Sequence, residues 1–509
     1  MKGKWAIAVC LVLSMVLIPS ALAGASQTIV VAPTNDDDTA NIQAALNEAA
    51  EHPGSVIQLT AGDFYLSDPV IVYNFSGTIR GQGKDKTTIH NKPDVLFGLV
   101  LDDPAMEWWY GVPMPVPYMF NFRYTPDAIA ELHVESLGFH LVGKSEWWPY
   151  WGGDPGGDLM GPFTVEGIEF GTPSNVSTTW VNLRSKGDAS DDYIWGKNMM
   201  GGIGALVNLS GTHVVSGCDF QTSWGESLSL HWLDHARVQV GGPRPEDRVL
   251  IEDSDLAGIY ANTLTNSEIS ISNVRASDLV WNVLSIGGHS NSKVYMTNVE
   301  TYNASGAMIS PWGWFGPTEQ PSTFLFEHNT IRQPADTEWA GFEIHEDSDV
   351  KSNIVIRNNR ISGEGSFLWG PIFTLGARNA VITNNQITGS GPAAMYLGPW
   401  GFEDNGLMVK GNNVQGWTVD STPCGADCEG LPLAPIWLGW DTSGNTVVGS
   451  GNLRTTVFDE TDNPDTPAYD GRNILVGVNS QGAQVGQAIR DAMQARIAAK
   501  KLLMDKMPR

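Results

Sequence analysis

The sequence predicts an all-β fold in which short strands wind into a parallel solenoid. One observation is a pair of large apolar residues, five positions apart, that recurs along the chain with turn-forming residues between its members. Another is the period, which is 30, 26 and 27 residues between the successive first members Phe326, Ile356, Ile382 and Val409. A long amphipathic helical pattern is missing from this stretch. Short strands at such a period, joined by tight corners, are typical of a solenoid rather than of βαβ units.

Each pair marks the end of one strand, a corner and the start of the next strand. The eight pairs are Val134/Phe139, Val165/Phe170, Val215/Phe220, Ile251/Leu256, Phe326/Ile331, Ile356/Ile361, Ile382/Ile387 and Val409/Val414. A further apolar residue usually stands two positions before the first member, and this alternation indicates a strand with one buried face. Asn-rich segments such as 357–360 and 383–386 suit the corner, because Asn tolerates the left-handed backbone and bonds locally.

The same residue type recurs three positions after each late first member. These residues are Asn329, Asn359, Asn385 and Asn412. In a solenoid, like positions stack about 4.8 Å apart, so we expect their side chains to bond from coil to coil. Cys218 holds the matching position of an earlier repeat, where we expect a small buried residue.

The N-terminal part has a recognisable order of elements. Residues 38–46 have the pattern of a short helix, which leads into the alternating segment 55–66 and then into 78–83. This order resembles the N-terminal cap and first coils of right-handed parallel β-helix proteins of the pectate lyase-like superfamily. The repeats at 353–361 and 379–387 are similar to coils of the same group.

The resemblance implies a single-stranded right-handed parallel β-helix over residues 55–480, with a helical cap within residues 24–54. It says little about activity, because this fold carries many activities and some members have none. After the solenoid we predict a C-terminal helix within residues 481–509. Its apolar stripe recurs every four residues, at Val485, Ile489, Met493 and Ile497.

The first 23 residues have the pattern of a secretory signal peptide. Lys2 and Lys4 precede an apolar run, and Ala21 and Ala23 form an A-x-A cleavage site. A signal anchor is the alternative. The pattern predicts a secreted protein, extracellular or periplasmic.

Composition and charge exclude several classes of protein. The net charge is −26 with 30 Lys+Arg against 56 Asp+Glu, and nucleic-acid binding requires a basic surface. After the signal segment, no stretch reaches the roughly 18 apolar residues of a membrane span. The sequence leaves the oligomeric state open.

Cys424 and Cys428 lie close together in a Pro- and Gly-rich segment. In an oxidising compartment a small disulfide between them is favoured over a metal site, because the flanking residues offer no further thiols or imidazoles.

A second strand precedes each repeat and carries an apolar-x-apolar triplet. The middle residue must face outward when its neighbours face inward. Stacking therefore predicts an outer column of Ser229, Ser285, Glu343, Thr374, Tyr396 and Trp437. Two positions after each of these stands a second outward residue, in the order His231, Gly287, His345, Gly376, Gly398 and Gly439. The glycines leave room for a ligand, so we predict a groove along the solenoid axis.

Glu343, His345 and Asp347 are the candidate catalytic residues of this groove. Glu343 and His345 alternate on one strand and would lie about 7 Å apart, a pair suited to general acid–base catalysis. Asp347 or Asp349 would supply a second carboxylate at a separation near that of inverting glycosidases. Two alternatives stay open: a solvated acidic strand end, or a Ca²⁺ site that also uses Glu346.

Aromatic residues accompany the groove. The candidate substrate-binding residues are Trp312, Tyr396, Trp400, Trp437 and Trp440. Flat rings suit the C–H faces of sugars, although packing of these rings under loops is the alternative. A second tryptophan cluster, at 147–151, lies in an insertion and is another candidate.

The residues favour a secreted protein that acts on a weakly charged polysaccharide, either a hydrolase or a lyase. A polyuronate substrate is disfavoured, since an acidic chain would repel it. Segment 231–235 is similar to the W-I-D-H segment of pectate lyases, which we interpret as coincidence. The alternative function is a non-catalytic extracellular scaffold or surface protein that binds glycan. No cofactor is predicted beyond the Ca²⁺ alternative.

Overall fold

The computed structural model describes most of the chain between residues 25 and 482. The described residues are 25–92, 118–141, 161–187, 202, 204–223, 226–254, 257–309, 320–333, 340–346, 350, 352–366, 370–398, 406–420, 434–439, 442, 444–449, 455–459 and 473–482. The predicted signal segment 1–23, the cysteines Cys424 and Cys428 and most of the predicted C-terminal helix, from residue 483, lie outside them.

The described strands form three parallel sheets, through which the chain passes in turn. Sheet A contains, in spatial order, β1 (Thr28–Val31), β2 (Ser55–Leu59), β5 (Gly77–Arg80), β8 (Ile129–Glu135), β11 (Ser174–Val181), β14 (Leu209–Ser216), β17 (Ala236–Gly241), β20 (Glu268–Ser272), β24 (Lys293–Thr297), β27 (Thr323–Glu327), β30 (Asn353–Arg357), β33 (Val381–Thr383), β36 (Met408–Lys410), β39 (Thr446–Val448) and β41 (Ile474–Val476). Sheet B contains β3 (Gly62–Leu66), β6 (Thr87–Asn91), β9 (Gly138–Leu141), β12 (Arg184–Gly187), β15 (Asp219–Ser223), β18 (Val249–Ser254), β21 (Val274–Leu279), β25 (Glu300–Tyr302), β28 (Thr330–Gln333), β31 (Arg360–Ser366), β34 (Gln386–Gly391) and β37 (Asn413–Val419). Sheet C contains β4 (Val70–Tyr73), β7 (Tyr118–Tyr124), β10 (Gly161–Gly167), β13 (Gly204–Val207), β16 (Leu228–Asp234), β19 (Ile259–Thr265), β22 (Asn282–Ile286), β26 (Ser305–Ile309), β29 (Phe342–His345), β32 (Ile372–Leu375), β35 (Met395–Leu397), β38 (Ile436–Leu438), β40 (Thr456–Asp459) and β42 (Asn479–Gly482), with β23 (His289–Ser290) paired to β19.

Apolar residues of like position stack from coil to coil, as the repeat predicts. Ile356 pairs in register with Ile382, which pairs with Val409. All three side chains are buried in one continuous core enclosed by the sheets. Successive side chains of a strand alternate between its two faces. The residues next to these three in the chain therefore point outward.

The predicted asparagine ladder is present at the corner between sheets A and B. Nδ2 of Asn329 donates to Oδ1 of Asn359 at 3.0 Å, and the same bond joins Asn359 to Asn385 and Asn385 to Asn412 at 2.9 Å. The residue immediately before each of these asparagines in the chain, for example Asn358, adopts left-handed backbone angles. A run of buried amides is tolerated here because each finds partners above and below it.

One helix, α1 (Thr39–Ala50), lies before the first full coil. Its buried residues are Ile42, Ala45, Leu46 and Ala49, and the helix contacts β1, β2 and β4. The three- and four-residue spacing of these apolar positions puts them on one face, which joins the core. No helix within the described residues is long and apolar enough to cross a membrane.

Two of the eight predicted pairs do not mark a corner between sheets A and B. Val165 lies in sheet C, and its partner Phe170 is exposed instead of buried. Ile251 lies in sheet B, stacked on Phe220, and its partner Leu256 falls outside the described residues. Both errors arise because apolar spacing alone does not show which of the three sheets a strand joins.

Candidate functional site

The outward face of sheet C carries the candidate site residues. Parallel pairing stacks its outward side chains into a column, here called the outer column. In chain order from β16 it contains Ser229, Tyr260, Ser285, Met308, Glu343, Phe373, Tyr396, Trp437 and Phe458. Glu343, Tyr396 and Trp437 therefore share one face, as the triplet pattern predicts. The column is mostly apolar and aromatic from β29 onward.

The register of β32 differs from the prediction. Ile372 continues the inward column of β29 and β35, so Thr374 faces the interior and Phe373 takes the outward place predicted for Thr374. The same shift puts Leu375 in the place predicted for Gly376. The segment has apolar residues at both parities, so alternation alone cannot set its register.

The four aromatic residues of the outer column from β32 onward contact one another in series, and this series is here called the ring stack. The rings of Tyr396 and Trp437 lie 4.4 Å apart at an interplanar angle of 26°, and Phe373 and Phe458 meet them edge-on at 5.9 and 5.8 Å. Tyr396 is 4% exposed and Trp437 is 1% exposed. The predicted aromatic residues Tyr396 and Trp437 therefore stack on one face, but their rings are covered in this structure.

Glu343 and His345 form a hydrogen-bonded pair on β29. His345 Nε2 lies 2.7 Å from Glu343 Oε1, and both side chains are buried. Within the described part of the chain, Nδ1 of His345 is buried without a hydrogen-bond partner. With Glu343 ionised, Nε2 is the donor and Nδ1 is the nitrogen able to accept a proton. The ring of His345 also lies 5.5 Å from that of Phe373, so the pair adjoins the aromatic stack.

The remaining predicted site residues lie outside the described residues. They are Asp347, Trp312, Trp400 and Trp440. Of the residues in the Ca²⁺ alternative, Glu346 accepts the backbone N–H of Ser352 with both carboxylate oxygens, at 3.1 and 3.0 Å. Across the described ranges no three His, Cys, Asp or Glu side chains are arranged to hold a metal ion.

An ion pair lies upstream on the same face. Arg123 of β7 and Glu166 of β10 are register partners, with Nε and Oε1 2.9 Å apart, and both are almost fully buried. The sequence analysis missed this pair, since the two residues are far apart in the chain. Buried opposite charges compensate each other's desolvation, so this end of the face carries little net charge.

A second polar group lies at β16 and β19, of which the sequence analysis predicted Ser229 and His231 and missed Glu226 and Tyr260. The rings of His231 and Tyr260 are 5.6 Å apart, and Ser229 Oγ donates to Glu226 Oε2 at 3.5 Å. Burial raises the pKa of Glu226 and lowers the pKa of His231 to about 3. The alternation of β16 indicates that His231 faces outward, but Glu226 and Tyr260 carry no signal in the sequence.

No family model matches the sequence, and no curated protein matches it either. Several solved structures are similar. The A-module of the mannuronan C-5 epimerase AlgE6 of Azotobacter vinelandii has a TM-score of 0.40 and 13% identity, over 88% of this chain and 96% of that one. DFA-IIIase of Arthrobacter chlorophenolicus A6 has a TM-score of 0.39 and 14% identity, over 81% and 89%. The catalytic domain of a GH87 α-1,3-glucanase has a TM-score of 0.35 and 12% identity, over 90% and 66%. The three long parallel sheets themselves fit a right-handed parallel β-helix, the fold that the sequence resemblance implies.

Proposed function

We propose that this chain is a secreted protein that binds a weakly charged polysaccharide on the outward face of sheet C and cleaves it, as a hydrolase or a lyase. The observation that carries the proposal is the Glu343–His345 hydrogen bond at the end of the ring stack. A solenoid needs no acid–imidazole pair on its outer face for stability. The Glu343–His345 pair and the neighbouring ring stack together favour a site for proton transfer beside a surface for sugar rings.

His345 is the proposed general base. Glu343 accepts a hydrogen bond from Nε2–H and fixes the orientation of the imidazole, while Nδ1 takes a proton from water in hydrolysis or from a ring carbon in elimination. Asp347 is the proposed general acid, which gives a proton to the glycosidic oxygen as the bond between that oxygen and the sugar carbon breaks. An imidazole held by a carboxylate stays well placed through the reaction, because the negative charge stabilises the imidazolium that forms.

Tyr396 and Trp437 are the proposed sugar platform, with Trp312, Trp400 and Trp440 as further contacts. Since Tyr396 and Trp437 are nearly fully covered, binding requires the covering groups to give way to the sugar. Stacking on a ring buries apolar area at low entropic cost, because an aromatic side chain has only two rotatable bonds.

The coverage of these rings favours a second candidate function. A stack with 4% and 1% exposure at Tyr396 and Trp437 also suits a non-catalytic scaffold, in which the rings stabilise the coils and glycan binds elsewhere. Under this alternative, Glu343 and His345 are a buried structural pair.

The test is a product assay on a panel of neutral and uronate polysaccharides, reading both new reducing ends and unsaturated products. We expect turnover on a weakly charged member and its loss in Glu343→Gln, which keeps shape and removes the carboxylate. Glu300→Gln, at an exposed position of β25, is the matched control. If the wild type binds a glycan but turns over none, the scaffold function replaces the enzyme.

Four further proposals accompany this function. We infer that residues 1–23 direct export, that Cys424 and Cys428 are bonded in the exported protein, and that α1 closes the N-terminal end of the solenoid. The predicted start of the C-terminal helix at residue 481 is wrong, because Gln481 and Gly482 belong to β42, so the helix is proposed within residues 483–509. The contacts of α1 with β1, β2 and β4 support the capping role. A disulfide over so short a loop stabilises modestly, at the low end of about 2–4 kcal/mol.

A further inference from the structure

Two neighbouring strands of sheet C break the alternation of their side chains. In β16, Leu230 and Leu233 both belong to the core, so His231 and Trp232 between them both face outward. In β19, Ala261 and Leu264 both belong to the core. Asn262 and Thr263 between them therefore form a second outward pair. These outward pairs are in register, since His231 pairs with Asn262 and Leu233 pairs with Leu264.

The backbone shows how the extra outward residue is accommodated. Trp232 has φ 50° and Thr263 has φ 57°, both in the left-handed region. In the preceding coil the equivalent position is Asn208, with φ 52°, a residue that tolerates this conformation. A bulky tryptophan in this conformation is strained. Strain that the surrounding structure maintains points to a role for the ring on the surface.

The next coil has glycines at this place. Gly287 and Gly288 connect β22 and β23, and Gly288 N–H lies 3.4 Å from Asn262 Oδ1. Glycine has no side chain, so no Cβ projects from this coil beside Asn262 and Thr263. Asn262 itself is buried, so the exposed surface at this end of the strands belongs to the neighbouring Trp232 and His231.

Aromatic and polar groups surround the same place. Trp232 meets the exposed Phe170 edge-on at 6.0 Å and lies 5.4 Å from His231. The ring of Tyr260 lies 5.6 Å from that of His231, and burial together with the charge of the nearby Glu226 carboxylate raises the pKa of its phenol. Glu226, His231, Trp232 and Tyr260 are only partly buried, in contrast to the covered outer column from Glu343 onward.

The pKa values of two of these groups are shifted toward their neutral forms. Burial lowers the pKa of His231 to about 3, so its imidazole is neutral at pH 7. Burial also raises the pKa of Glu226, which favours its uncharged form. In a chain of net charge −26, such a site suits a neutral ligand with an apolar face and many hydroxyls, which is the chemistry of an uncharged sugar.

We propose that Trp232, His231, Tyr260 and Glu226 form a binding site for an uncharged saccharide, with the Trp232 ring as the stacking surface. The site lies four strands from β29 along sheet C, about 19 Å from Glu343. It does not depend on proton transfer at Glu343 and His345. A neutral saccharide of about four units could contact both places, since a sugar unit spans roughly one strand spacing.

The test is calorimetric titration of the full chain with neutral tetrasaccharides built of glucose, mannose, galactose or xylose, and with uronate tetramers for comparison. The decisive variant is Trp232→Asn, which removes the ring and places at φ 50° a residue that tolerates it, as Asn208 does. We expect at least tenfold weaker binding of the neutral ligand and a melting temperature that is unchanged or higher.

Tyr302→Ala is the matched control, since Tyr302 is a 60% exposed aromatic residue on sheet B; it should bind like the wild type. Glu343→Gln separates the two proposals: it should lose turnover and keep the binding that Trp232→Asn weakens. Equal binding by Trp232→Asn and wild type overturns the site. A fall in the melting temperature of Trp232→Asn without a loss of affinity also overturns the site, because it would show that the ring is structural. The absence of saturable binding of any neutral tetrasaccharide at millimolar concentration overturns it as well.

Discussion

Asn359 donates through Nδ2 to Oδ1 of Asn385, 2.9 Å away on the next coil. The same oxygen accepts the backbone N–H of Asn359 at 3.0 Å, while Nδ2 of Asn359 also donates to the carbonyl of Phe326 at 2.9 Å. The Oδ1 atom of each such asparagine thus accepts the backbone N–H and the side-chain Nδ2–H of the asparagine on the preceding coil. The ladder ties coils together in the half of the solenoid that carries Glu343 and His345.

Asn359→Ala should lower the free energy of unfolding by about 1–3 kcal/mol, because the buried N–H and Nδ2 groups of Asn329 lose their acceptor. Denaturant unfolding followed by circular dichroism measures the change. Asn353→Ala, at an exposed position of β30, is the control. Equal stability of the two variants would show that the ladder is incidental to stability.

Stability should fall as the pH drops below about 6.5, in part through His213. Its ring is fully buried, with Nδ1 3.0 Å from Thr178 Oγ1, and burial lowers its pKa to about 4. Between that value and the ordinary value of about 6.5, the unfolded chain binds the proton and the folded chain does not. The contribution of neutral His213 is therefore complete above pH 6.5 and is lost on acidification.

From pH 7 to pH 5 this residue alone should cost about 2 kcal/mol of the free energy of unfolding. His213→Gln removes the titration, so its stability should change less with pH than that of the wild type. Denaturant midpoints at the two pH values measure the difference. A pH dependence identical in both proteins would show that folding does not lower the pKa of His213.

Cys218 should be inert to thiol reagents in the folded protein. It is 1% exposed, and burial raises the pKa of its thiol to about 12, so the reactive thiolate is scarce. If Cys424 and Cys428 are bonded, unfolding of the exported protein without reductant should expose one thiol per chain. Mass spectrometry after alkylation counts it; three labelled cysteines would rule out the disulfide.

The fold follows from local pattern more fully than the site does. The stacking of Ile356 on Ile382 and the asparagine ladder depend on residues that repeat at a nearly constant period, so sequence spacing predicts them. The register of β32 does not follow, because Phe373 and Thr374 are each acceptable on either face and only pairing with neighbouring strands decides between them.

The upstream site was predicted only at His231, for a related reason. The left-handed backbone at Trp232 shifts the alternation of β16, and alternation is the signal from which outward residues are inferred. Arg123 and Glu166 meet because β7 and β10 pair directly. A long stretch of sequence separates these two strands, so the contact is not visible in the sequence. Burial is equally invisible in the triplet pattern, which predicts Trp437 to face outward without showing that the ring is covered.

Glu343 and His345 should act as a unit in turnover. The 2.7 Å bond between His345 Nε2 and Glu343 Oε1 means that Glu343→Gln removes the charge that stabilises the imidazolium, and His345→Gln removes the base itself. Each change should lower kcat by about a hundredfold to ten-thousandfold. Because either loss disables the same proton transfer, the double variant should be no slower than the slower single variant. Steady-state kinetics of the four proteins on the polysaccharide found in the product assay measures this, with melting temperatures to separate loss of fold from loss of chemistry. Multiplying effects would instead show that the two residues act independently, and the proposed pairing of base and carboxylate would be wrong.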